Sequence, residues 1–195
     1  MNSTTDLASD LAFIRERIGR AKQPGGAATI YFLWAGICLV GFVLTDLNAP
    51  LAGAFWAVAG PAGALASGVL GYRWSRRMGQ VSKQEGFQHA AHWGGMMGAI
   101  VLSQILVATG TVPPESGAAT ILLIVSLGYF YGGLHLERPL LWLSGLQLVG
   151  YLVVVLSSNP PWTLIGIFLA IGFAWVGRSE LKRSAGQPQP HLVKP

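Results

Sequence analysis

The chain has 195 residues, 52% of them hydrophobic and only 11% charged, with a mean hydropathy of +0.50. That balance excludes an ordinary soluble domain and marks a membrane protein, and spans of ~20 residues each use so much of the length that no separate soluble domain fits beside them. The net charge of +5 does not point to nucleic acid, because the basic residues flank apolar runs and do not interleave with aromatics on a polar face.

The first feature in the chain is a leader. Residues 5–22 (TDLASDLAFIRERIGRAK) place Leu7, Leu11, Ile14 and Ile18 on one helical face. Asp6 and Asp10 stand in its first turns and Arg15, Arg17, Arg20 and Lys22 toward its end, the order the helix dipole favours, and Pro24-Gly25-Gly26 stops it. The pattern predicts an amphipathic interfacial helix along the cytoplasmic membrane surface, its apolar stripe either packed on the bundle or bound to anionic lipid or a partner.

Six apolar runs follow, at residues 29–45, 51–72, 88–108, 117–134, 140–156 and 162–176. The acidic, helix-forming leader is unlike the short basic start of a signal peptide, so the first run is expected to stay in the mature protein. Run two carries Gly63, Ser67 and Gly71 on one stripe and Gly60, Ala64 and Gly68 beside it, with Pro61 between, and run three carries Ala91, Gly95, Ala99 and Ser103 at the same spacing. Small residues let backbones approach closely in lipid, so runs two and three are expected to form the tightest hairpin. Run four ends in an aromatic-rich stretch and a very tight turn, from which Pro139 can begin the next helix at its first position. The tail from Gly177 is polar, basic and proline-containing, and is expected to be mostly disordered. Cys38 lies within run one and, as the single cysteine, makes neither an intrachain disulfide nor a thiolate metal site.

The cations sort the loops. Arg15, Arg17, Arg20 and Lys22 precede run one; Arg73, Arg76, Arg77 and Lys83 separate two from three; Arg138 separates four from five; Arg178, Lys182, Arg183 and Lys194 follow six, which accounts for all 13 Lys and Arg. The other three connections hold only Asp46 and Glu115. Loops rich in Lys and Arg stay in the cytoplasm, so both termini are expected there. Gly26-Ala-Ala-Thr-Ile30 recurs as Gly117-Ala-Ala-Thr-Ile121 at the starts of runs one and four, but the register does not continue and no inverted repeat is inferred.

The fold class is therefore all-α: a polytopic membrane protein with six transmembrane helices, a leader at residues 1–26, a membrane domain at 27–177 and a basic tail at 178–195. Its candidate binding residues are His89 and His92, which share a helix face at i, i+3 at the start of run three, and His135, Glu137 and Arg138 at the end of run four. Three imidazoles and a carboxylate are the chemistry of a zinc site, yet histidine is also at home at a membrane interface, and the expectation is no metal and no cofactor. Candidate helix-packing residues are Gly63, Ser67, Gly71, Ala91, Gly95 and Ala99. No Asp, Glu, Lys or Arg stands in the middle of any run, which disfavours ion-coupled transport. Ser103, Gln104, Ser126, Ser144 and Gln147 fit hydrogen-bonded helix packing.

At Asp10-Leu-Ala-Phe-Ile-Arg15 and His135-Leu-Glu-Arg-Pro139 the chain resembles small uncharacterised bacterial six-helix inner membrane proteins with a similar leader. That resemblance implies a bacterial inner membrane location and supplies no active-site residue. In size and span number the chain is also similar to substrate-binding subunits of vitamin transporters, without their small-residue motif in the first span. The functional expectation is a non-enzymatic accessory or sensor-type protein that acts through a partner or lipid contact on its basic cytoplasmic face. The alternatives are a solute-binding or transport subunit without its own energy-coupling domain, and a metal-dependent membrane enzyme built on the histidines.

Overall fold

A computed structural model of the chain describes residues 26–77 and 83–185. The leader at residues 5–22, the end of the tail from residue 186 and the segment 78–82 lie outside the described residues. The described residues form six helices: α1 (Gly26–Leu47), α2 (Ala49–Arg77), α3 (Lys83–Ala108), α4 (Ser116–His135), α5 (Pro139–Leu156) and α6 (Trp162–Ala185). All six are long and apolar enough to cross a membrane. Their outer faces carry large apolar side chains such as Leu65, Trp142 and Leu156, 73%, 82% and 81% exposed. Apolar surface on this scale has no place in water and is the ordinary lipid-facing coat of a multi-pass membrane protein.

The helices follow one another up and down, and their spatial order is α2, α1, α6, α5, α4, α3. The first and last helices make the most extensive pair. A methyl group on Gly166 of α6 would stand 2.5 Å from Cβ of Phe42, and one on Gly177, three turns on, would stand 3.2 Å from the Ala28 carbonyl. Glycine at these two points is what lets α6 approach the α1 backbone so closely. At the far end of the pair the Thr163 amide donates to Oδ2 of Asp46 at 2.7 Å, a carboxylate placed at the start of α6 where the helix dipole favours it. The next most extensive pair is α4 with α5, joined by residues 136–138. Leu136 and Glu137 amides both return to the Gly132 carbonyl, and Pro139 opens α5. Gly133 lies against Leu141, and the buried Ser126 hydroxyl donates to the Ser144 carbonyl at 3.0 Å across the interface.

Helices α1, α4, α5 and α6 are each a third or more buried along their apolar windows, whereas α2 and α3 are only 6% buried. The fully buried side chains Leu143, Leu169 and Phe173 belong to α5 and α6, and α2 and α3 contribute to the core through the partly buried Trp56, Trp93 and Met96. The expected hairpin of runs two and three is therefore not found: among the described residues α2 and α3 make no contact with each other. The reason lies in which partner each small face meets. Gly63 faces Trp34 and Ile37 of α1, and the Trp34 indole donates to the Ser67 hydroxyl at 3.0 Å, so that stripe is occupied by α1. A methyl on Gly71 or on Gly95 would meet nothing within 4 Å, and Ala91 and Ala99 are exposed.

The tail also departs from expectation, since α6 continues through Ala185 and the stretch 178–185 is helical. Leu169, Phe173, Val176 and Glu180 fall at helical spacing on one face, all buried, so the inward stripe does not stop where hydropathy falls.

Candidate functional site

Antiparallel packing gathers the starts of α1, α3 and α5 and the ends of α2, α4 and α6 at one end of the bundle. There Arg73, Arg76, Arg138, Arg178, Lys182 and Arg183 are all exposed. The opposite end carries Asp46 and Glu115.

The carboxylates at the basic end behave differently from the cations. Glu137, in the α4–α5 turn, is half-buried, and its Oε2 accepts a hydrogen bond from the Tyr31 hydroxyl of α1 at 3.0 Å. Glu180 of α6 is 5% exposed, and Nη1 of Arg183 donates to its Oε1 at 2.7 Å. Glu180 lies within electrostatic range of Glu137, and that like-charge proximity is repulsive. One tyrosine and one carboxylate thus join α1 to the α4–α5 turn, and beside them the buried Glu180 is paired with Arg183 of its own helix, α6. A phenol held by a carboxylate fixes the position of the α4–α5 turn on α1, because the two groups are 106 residues apart in sequence. Chemically the Tyr31–Glu137 contact is a brace, and at this end Glu137 and Glu180 turn inward while the six cations stay outside.

The candidate histidines do not join that cluster. His89 and His135 are exposed, and His92 is partly buried with its ring edge-to-face on Trp93 at 5.0 Å. A methyl on Gly132 would stand 3.0 Å from Nε2 of His92, so the imidazole lies on α4 one turn before His135, which points away into the exposed surface. Among the described residues, the buried Nε2 of His92 and Oε1 of Gln147 have no hydrogen-bond partner. Among the described residues no group of three or more His, Cys, Asp or Glu is placed to hold a metal ion. His92 instead begins an aromatic ladder: Trp93 stands edge-on to Tyr129 at 5.7 Å, and Tyr129 to Phe173 at 6.1 Å, linking α3, α4 and α6.

Of the sequence-selected site residues, Glu137 is engaged in the brace and Arg138 is exposed beside it. Tyr31 and Glu180 were not among them. Tyr31 reads in the sequence as an interfacial aromatic, and its partner is set by a distant turn. Glu180 was legible in principle, as the next position of the Leu169, Phe173, Val176 stripe. No protein-family model matches the chain, and no curated protein or solved structure matches it either.

Proposed function

We propose that the chain is a non-enzymatic membrane protein of accessory or sensor type, seated in a bacterial inner membrane with both termini in the cytoplasm, and that it works through its basic cytoplasmic face. The observation that carries this reading is the sorting of charge at one end of the bundle. Six cations are exposed there, while Glu137 accepts from the buried Tyr31 and Glu180 is buried on the inward stripe of α6. Neutralising carboxylates inside and displaying guanidinium groups outside gives a surface suited to phosphate headgroups or to an acidic partner, and fixes orientation by the same charge.

The reading is tested by purification in mild detergent, with co-eluting proteins, lipids, solutes and metals identified by mass spectrometry. A protein or an anionic lipid that is lost when the exposed cations Arg73, Arg76, Arg138, Arg178 and Lys182 are changed together to Gln is the expected result. A stoichiometric solute or metal that survives this change contradicts it and selects the transport or enzyme alternative.

A further inference from the structure

One exposed helix face lies outside the brace. Gly68, Val69, Tyr72, Arg73 and Arg76, all on the last turns of α2, line a shallow, open hollow on that face. Gly68, Tyr72 and Arg76 follow one another at four-residue spacing, with Val69 and Arg73 on the adjacent row. A methyl on Gly68 would meet nothing within 4 Å, so the missing side chain is the floor of the hollow, and Gly71 beside it is equally open. The Arg76 guanidinium stands 5.9 Å from the centre of the Tyr72 ring, within range of cation–π attraction.

The hollow is polarised along the helix axis. Arg73 and Arg76 stand at the end of the bundle, and Gly68 and Val69 lie one to two turns deeper, within the apolar span Ala49–Arg76. We propose that this hollow is a binding site for an anionic phospholipid, its phosphate between Arg73 and Arg76 and the start of an acyl chain on Gly68 and Val69. Guanidinium groups match phosphate oxygens, and a free inorganic anion would have no use for the apolar lower half. A lipid standing in the same leaflet presents head and chain in the order the hollow does. The site rests on the basic-face reading and narrows it to one helix and one class of ligand. It also gives a role to a surface of α2 that no other described helix covers.

The test uses the full chain, stripped of lipid in detergent and titrated with vesicle-derived phosphatidylglycerol against phosphatidylcholine, bound lipid being counted by native mass spectrometry. The unchanged chain is expected to retain about one phosphatidylglycerol. Arg73→Gln with Arg76→Gln should weaken retention by about 30-fold, since each cation near an anionic surface is worth roughly a factor of five. Gly68→Leu should weaken it as strongly with every charge in place, and Arg178→Gln with Lys182→Gln, exposed at the same end, should leave it unchanged. Equal losses in the two double variants, or full retention in Gly68→Leu, would overturn the site while leaving a diffuse basic face. An acidic protein segment captured in place of lipid would overturn it as well, and absence of any preference for the anionic lipid would remove the lipid reading of the face altogether. Arg73 and Arg76 are exposed, so their variants do not depend on how Gly68→Leu folds.

Discussion

Tyr31 closes the basic end, because its hydroxyl is the donor that brings the Glu137 turn onto α1. Changing Tyr31 to Phe keeps the ring and removes that donor, and should lower stability in detergent by about 1–2 kcal/mol. Glu137→Gln still offers an amide oxygen to the phenol and should cost less. Equal melting temperatures for the unchanged protein and Tyr31→Phe would remove the brace from the account. Little of this was legible in the sequence. Glu137 stood out as a charged turn residue, but its partner lies 106 positions away, and Glu180 sat in a stretch whose polarity hid its place on a buried stripe. The histidines show the converse: His89 and His92 do share a helix, yet a shared face at i, i+3 does not bring in His135 from a neighbouring helix, and both His89 and His135 end exposed.

At the scale of elements, the positions of the helices were readable and their partners were not. Apolar length alone set the spans, and Pro139 opens α5 as its position in the sequence implies. Pairing was misjudged because small residues at four-residue spacing occur on several helices, and the choice among them depends on the bulky groups opposite. Trp34 takes the Gly63 and Ser67 stripe, and Phe42 and Phe32 take Gly166 and Gly177. The glycines therefore separate into two classes. Gly166→Ala should destabilise by about 1–3 kcal/mol, because overpacking a close helix contact forces the backbones apart, and Gly63→Leu should loosen α2 from α1 in the same way. Gly71→Ala and Gly95→Ala should be nearly neutral, since nothing stands within 4 Å of either added carbon. Thermal unfolding in detergent, followed by circular dichroism, separates the classes, and a loss at Gly71 equal to that at Gly166 would contradict the packing described.

On the scale of the whole molecule, six helices in the order α2, α1, α6, α5, α4, α3 leave α2 and α3 as outer helices and put every described cation at one end. Charge alternation along the chain was the most readable property of all, because it depends on composition of short loops and on no tertiary contact. Which side that end faces is the claim from which the basic-face function follows. Reporter fusions test it directly. Fusions after Asp46, Glu115 and Asn159 should report the outside of the membrane, and fusions after Lys83 and Lys194 the cytoplasm. A cytoplasmic signal at Glu115, or an external one at Lys83, would contradict the orientation and with it the proposed cytoplasmic role of the basic face.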